Sequence, residues 1–542
     1  MPDEYMPEED VFSLSAMSDE HGFVVLPFRR IEEEGVSVDW DDEVEVLGGM
    51  NLCFAEHRYE PKTWHHIKVK CDDWSKVYLA AVEANVMDLD NLPFQNSIAK
   101  ARNCKWRFES PLPKLAGVAL HDWKDTEHDI EGHSICRRMD VCLIDGSLEC
   151  CMSFFKQIEE IPGNFFSRNI VKSFRQAFYG CTIECQIPRD LFAEQKEVIN
   201  YEACFEHATF AVQDSVPGCL FDDSRKAVTF ANIFKNSNLK KIPESLFSGC
   251  AGALSFKGCF SRTEIESVSS CRLFEDSIKA HDFSFCFANC KKLERVGNNV
   301  FSGTAAEDYS YCFLGCTALE SINNPFELEK AKNFYACFQN CTSLISVSGL
   351  TFHNARNAKE FGSCFEGCKN LMAIPDDFFH NCVSAENFDS VFRECYSIKC
   401  IPNGLFSKCS KAETFADAFK QCISLMYIGD DVFRNCSSVD NFDSTFACCT
   451  SLAAVPVNTF AWAKSVESMN RCFDGCISLV DSLLLYIPSK YIENARNFVP
   501  KNASFSDKGT VVLVPCHSRT EDAFRKESFD NSYLKVSCTE ID

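Results

Sequence analysis

The chain has 542 residues, 46% of them apolar and 24% charged, enough to bury a substantial core and too apolar for a disordered tail. Its formal charge of −24 argues against a phosphate backbone as the main partner, because a nucleic-acid footprint needs a Lys/Arg excess on some face. Two counts are abnormal, 34 Cys and 49 Phe, and they require a rule that reuses both residues at fixed places.

The first twenty residues have no basic or apolar segment of the secretory kind and read as an acidic, flexible lead, 1–20. Residues 21–145 read as a β-domain. Alternation at Val36/Val38 and Ile67/Val69 predicts half-buried strands. Asp39, Asp41 and Asp42 offer carboxylates to Ca²⁺, although an acidic strand end that terminates in solvent is the preferred reading. His65 and His66 follow Trp64 on one strand, so one ring is expected to point inward and the other outward.

Composition breaks near residue 145. Residues 1–150 hold 31 acidic and 15 basic side chains, a net of −16 that leaves −8 for the rest, and only five of the 34 Cys precede residue 146. Past the break the sequence repeats. Phe361-Gly-Ser-Cys-Phe-Glu-Gly-Cys368-Lys-Asn-Leu371-Met-Ala-Ile374-Pro375 is followed in register by Phe388 to Pro402 and by Phe415 to Ile428. The second Phe of the unit falls at 178, 205, 234, 260, 287, 313, 338, 365, 392, 419, 446 and 473, a period of about 27 residues. With a degenerate unit at Met152 the array has about 13 coils over 146–490.

The segment L-x-x-[IV]-P is too short for a helix and ends in Pro, so it reads as a brief strand. F-x-x-x-F-x-x-C and P-x-x-L-F-x-x-C, as in Pro243 to Cys250, place apolar residues three and four apart and are expected to be short helical turns. The fold class is therefore an α/β repeat solenoid preceded by a β-domain, its coils stacking because none closes a core alone. Phe is expected to fill the wide interior and Cys the narrow corners. Residues 491–542 are expected to cap the array.

The C-x-x-x-C pairs, such as Cys286/Cys290, Cys312/Cys316, Cys337/Cys341, Cys364/Cys368 and Cys472/Cys476, do not converge as a four-ligand metal site would, and Ala418 and Thr445 replace the first Cys. They read as buried thiols. Disulfides between neighbouring coils stay open as an alternative, since stacking near about 4.8 Å brings Cα atoms within disulfide range. No G-x-S-x-G, H-E-x-x-H, P-loop or G-x-G-x-x-G occurs, so neither catalysis nor a cofactor is expected. No apolar run approaches a bilayer span, Leu483 to Ile487 being the richest.

Repeat arrays bind through the side chains that the fold leaves free. Those are the two residues between Leu and Ile/Val, and they give the candidate partner-binding row Glu294, Arg295, Ile345, Met372, Lys399, Met426 and Tyr427. Its C-terminal half is apolar, which suggests a partner surface or a row covered by a flanking segment.

The unit Cys312-Phe-Leu-Gly-Cys316-Thr-Ala-Leu319-Glu-Ser-Ile322 resembles the BspA-type leucine-rich repeat. Gly509 to Pro515 followed by Asp522 to Lys526 is similar to the strand-and-helix closing segment of such arrays. Val36-Ser-Val-Asp39-Trp40-Asp41-Asp42 and His57-Arg58-Tyr59 are similar to the V-D-W-G-D-G and H-x-Y motifs of the polycystic-kidney-disease-type β-sandwich. Asp41 and Glu43 stand where that family has Gly, which puts the tight turn in question. The resemblance implies a non-enzymatic protein of a bacteriophage virion, in a tail, baseplate or head-surface appendage, or a bacterial or protist surface adhesin. An intracellular protein-binding scaffold is the reading from a different class. The missing export segment favours the virion, made in the host cytoplasm, over the cell surface. The implied partners are other assembly proteins, through the N-terminal domain, and a protein or glycan on a host surface, through the solenoid.

Overall fold

The computed structural model describes residues 11–26, 28–30, 36–47, 55–82, 104–124, 127–128, 134–135, 138–145, 147–152, 155–212, 216–268, 273–350, 352, 354–479, 484–499, 510–530 and 534–539. The chain forms two compact units, Met1–Glu264 with Arg272–Lys279, and Ile265–Cys271 with Ala280–Asp542.

The first unit opens with β1 (Val11–Met17), β2 (Phe23–Leu26), β3 (Phe28–Arg30), β4 (Val36–Asp39), β5 (Val44–Leu47), β6 (Ala55–Arg58), β7 (Trp64–Cys71), β8 (Val77–Val82) and β9 (Lys105–Phe108). There follow β10 (Gly117–Lys124), β11 (Glu127–His128), β12 (Ser134–Ile135), β13 (Arg138–Asp145), β14 (Gln157–Glu160), β15 (Thr182–Ile183) and β16 (Thr209–Phe210). Strict alternation in β1 buries Phe12, Leu14 and Ala16, and the expected alternation of β4 and β7 buries Val36, Val38, Ile67 and Val69. A second sheet, β13-β10-β8-β3, meets this one where Phe12 packs edge-on against Phe28 at 6.0 Å. The acidic lead is thereby corrected from residue 11 onward: β1 is a central strand, paired with β7 on one side and β9 on the other. Residues 1–10 of that lead lie outside the described residues.

The composition break at residue 145 is not a break in the sheet. One eight-stranded sheet runs β16-β15-β14-β9-β1-β7-β4-β5, and β9 pairs in parallel with β14, the first strand of the repeat array. The core is equally continuous. Phe155 packs edge-on against Trp106 at 5.0 Å and Phe108 at 5.2 Å, and Phe165 lies 5.0 Å from Phe108. On the outer face Lys105 bridges Glu159 at 3.0 Å and Glu184 at 3.3 Å, while Arg107 forks onto Glu159 at 3.1 and 2.8 Å. The β-domain thus closes the N-terminal end of the stacked coils, which would otherwise present an open edge.

The repeats form a β-solenoid of about 13 turns, each of about 27 residues. Within each unit neighbouring coils pair through short parallel ladders of one or two residues. In the second unit one ladder runs Asp282, Asp308, Asn333, Glu360, Asn387, Thr414, Asn441, Ser468, Asn494. The other holds the short strands expected at x-[IV]: β17 (Ser267–Val268), β18 (Arg295–Val296), β19 (Ser321–Ile322), β20 (Cys400–Ile401) and β21 (Tyr427–Ile428). In between, Phe rings stack face to face. The column Phe287, Phe313, Phe338, Phe365 keeps centroids 5.3 to 5.5 Å apart with near-parallel planes, an arrangement that contributes about 0.5–1.5 kcal/mol per pair beyond burial.

The expected helical turns are absent, and the coils are built from consecutive β-turns. In Phe283 to Cys290, N–H groups of Cys286, Ala288 and Cys290 bond three residues back, whereas those of Phe283, Phe285, Phe287 and Asn289 bond to the next coil. Phe285 and Asn289 have φ of 58°. A left-handed residue every fourth position cannot continue a helix, and it turns alternate amides outward to stack the coils. The residue ahead of the first Phe starts each run: Asn200, Asp282, Asp308, Asn333, Asn387 and Asn441 each accept the N–H two residues on. Among the described residues the only α-helix is α1 (Arg519–Asp530), which with β22 (Leu484–Tyr486), β23 (Thr510–Pro515) and β24 (Leu534–Thr539) ends the chain. β22, β23 and β24 form a parallel sheet, and Phe498 packs edge-on between Phe473 of the array and Phe524 of α1, at 5.5 and 4.9 Å.

Candidate binding surface

The inward residue of the second ladder is always apolar and buried: Val296, Ile322, Val347, Ile374, Ile401 and Ile428. Strand alternation then forces its neighbour outward. All seven residues of the sequence-derived row, Glu294, Arg295, Ile345, Met372, Lys399, Met426 and Tyr427, are exposed. The backbone holds them in file, Met372 donating to Ile345 O at 3.1 Å and Met426 to Lys399 O at 2.9 Å. Met372 is 61% exposed, Tyr427 59%, Ile345 43% and Met426 38%. Ala373 and Cys400, on the same ladder, are exposed as well. Two apolar stretches, Ile345 with Met372 and Met426 with Tyr427, thus stand on either side of Lys399 in one exposed file.

The opposite ladder carries a column that the sequence reading did not single out. Glu386, Glu413, Asp440, Glu467 and Glu493 occupy one position in five successive coils, each donating its N–H to the residue before it in the column. The ends are neutralised, Glu386 by Lys359 at 2.7 Å and Glu493 by Arg519 at 2.5 Å. Glu413, Asp440 and Glu467 make no ion pair among the described residues, although the Lys359 charge also acts on Glu413. Partial burial pushes the Asp440 carboxyl up, and the adjacent Glu467 and Glu413 push it further.

The thiols of the solenoid are hydrogen-bond donors. Cys316, Cys341, Cys368, Cys395, Cys422, Cys449 and Cys476 each point at the carbonyl of the anchor Phe one coil earlier, at 3.0 to 3.2 Å. Where Thr445 replaces a Cys its hydroxyl donates to Phe415 O at 3.1 Å and Phe442 O at 2.7 Å. Burial raises the thiols of Cys316, Cys341, Cys368, Cys395, Cys422 and Cys449, that of Cys422 to about 12.

In the β-domain the two motifs of the sandwich resemblance meet. Trp40 stacks on His57 at 5.3 Å, His57 lies 4.5 Å from Tyr59, and the Tyr59 hydroxyl donates to Trp40 O. Asp41 takes φ of 78°, so the hairpin keeps a Gly-like turn without Gly. The acidic triplet is dispersed: Asp39 accepts the Asp41 N–H at 3.2 Å, and Asp42 pairs with His57 at 3.1 Å. Among the described residues no group of three or more His, Cys, Asp or Glu is placed to hold a metal ion. His65 stacks on Tyr59 at 3.5 Å and His66 pairs with Glu109 at 2.9 Å. Adjacent on β7, the two rings leave opposite faces of the strand, and both are half-buried.

No helix among the described residues is long and apolar enough to cross a membrane. The fold and the surface together define a β-solenoid repeat protein with an N-terminal β-domain. A scan against protein-family models gives no match, and a search of curated proteins gives none either.

Proposed function

We propose that the chain is a non-enzymatic binding protein of a bacteriophage particle, in a tail, baseplate or head-surface appendage, that attaches through its β-domain and recognises a protein or glycan on the host surface through the solenoid. The observation that carries the binding reading is the exposed file Ile345, Met372, Met426, Tyr427, mounted on a ladder whose inward residues do not vary in character. A second feature supports attachment. The edge strand β5 has no partner strand on its outer side among the described residues, and its Val44 and Val46 are 66% and 74% exposed, which suits strand addition by a neighbouring subunit. The virion setting rests on the resemblance of the repeat and of the Trp40/His57/Tyr59 motifs.

The test is quantitative mass spectrometry of purified particles from the source culture against washed envelope and cytosol, with the double variant Met372→Glu/Tyr427→Glu carried alongside. Co-purification at a fixed ratio to the major structural proteins is expected, together with variant particles that assemble normally and fail to attach. Recovery only in the cytosol, or full attachment by the variant, overturns the proposal.

A further inference from the structure

Two partly exposed thiols stand on adjacent strands where the closing sheet ends. β23 and β24 pair in parallel, with Val514 opposite Cys538 and Pro515 opposite Thr539. Cys516 follows at once and donates its N–H to Thr539 O at 3.2 Å. Two residues on from Val514, it lies on the face from which Cys538 leaves β24, diagonally across the same ladder. The stacked thiols of the solenoid columns, such as Cys449 and Cys476, are buried, whereas Cys516 and Cys538 are both partly open to solvent. The neighbouring helix supplies a charged frame. Arg525 Nη2 reaches Cys538 Sγ at 3.5 Å, its Nε donates to Glu521 Oε1 at 2.7 Å, and Glu521 Oε2 accepts the His517 N–H at 2.7 Å. Glu521 raises the Cys538 thiol and Arg525 lowers it, the raising effect being the larger.

We propose that Cys516 and Cys538 form a reversible dithiol clip that fastens the last strand to the solenoid under oxidising conditions. A low-molecular-weight disulfide serves as oxidant. The Cys516 thiolate attacks one of its sulfurs, forming a mixed disulfide and releasing one small thiolate, which takes up the Cys516 proton. Cys538 then attacks Cys516 Sγ, releasing the second small thiolate with the Cys538 proton. Two protein thiols are oxidised and one small disulfide is reduced to two thiols. The bond closes residues 516–538, with α1 inside the loop, and pins β24, the edge strand of the final sheet.

The test incubates the full-length native protein with oxidised glutathione, blocks remaining thiols and maps the peptides. A Cys516–Cys538 crosslink reversed by dithiothreitol is expected, with the column thiols still blocked as free. Amide exchange in 534–539 is expected to slow by about tenfold in the crosslinked form. In Cys516→Ser, and likewise in Cys538→Ser, the surviving cysteine is expected to end as a glutathione adduct. Separate adducts on Cys516 and Cys538 in the parent chain, with no crosslink while exposed Cys400 is modified, overturn the proposal. So does a crosslink that leaves exchange in β24 unchanged.

Discussion

Gly367 offers a sharp test of how the coils stack. It has φ of 73°, in the column of left-handed residues that ends each turn run. The same column holds Glu394 at 59° and Gln421 at 62°, so handedness alone does not demand glycine. A Cβ on Gly367 would lie 2.3 Å from Oδ1 and 3.3 Å from Cγ of Asn340, the column residue one coil earlier. Gly315 stands in the same relation to Asn289, and Gly258 to Asn232. Gly367→Ala therefore carries two penalties, about 1 kcal/mol for Ala in the left-handed region and about 1–2 kcal/mol for displacing the Asn340 side chain. Asn340→Gly removes the obstructing side chain and keeps its own φ of 60° without strain. Urea unfolding of the four proteins of this double-mutant cycle is expected to give a loss of about 2–3 kcal/mol for Gly367→Ala alone and about 1 kcal/mol in the Asn340→Gly background. Equal losses in both backgrounds would refute the steric reasoning and assign the whole effect to backbone conformation.

Cys422→Ala removes the donor to Phe392 O and leaves a small void, and urea unfolding is expected to show a loss of about 1–3 kcal/mol, against a smaller loss for Cys422→Ser. Native alkylation at pH 8 is expected to label Cys400 and spare Cys422 and Cys436, whose thiols burial pushes up to about 12; labelling of all three at one rate would contradict the packed columns. The raised pKa of Asp440 means that its charged form costs stability above that pKa and that the cost fades as pH falls through it. Asp440→Asn is accordingly expected to gain about 0.5 kcal/mol at pH 7 in thermal unfolding, with the gap to the parent closing in acid. Trp106→Ala opens the junction between the β-domain and Phe155 and is expected to cost about 3–5 kcal/mol and to expose the first coils to limited proteolysis.

The period, the Phe columns and the short strands at x-[IV] were legible because stacking repeats one set of packing demands at fixed intervals. The expected helices were not what the spacing meant. A separation of four between inward residues fits both a helix and two successive β-turns. The distinguishing signal was Gly315, Gly367 and Gly475 in C-F-x-G-C, with Asn or Asp before the first Phe. The strand at Val11–Met17 carried its own alternation, masked by acidic residues on both sides. The pairing of β9 with β14 joins residues some fifty apart, and no local pattern announces it. The exposed row could be read from the contrast between variable and fixed columns. The acidic column could not, because Lys359 and Lys332 interrupt the same position one and two coils before Glu386.

The two ladders engage only one or two residues of each coil, and the turn runs between them absorb length. The spacing of the anchor Phe drifts between 25 and 29 residues in the earlier coils without loss of stacking. An added or lost residue in a turn run is therefore a local event. A whole coil can be duplicated or deleted while the remaining coils keep the same kind of neighbour contact, so the length of the exposed row is set by copy number and can change in steps of one repeat.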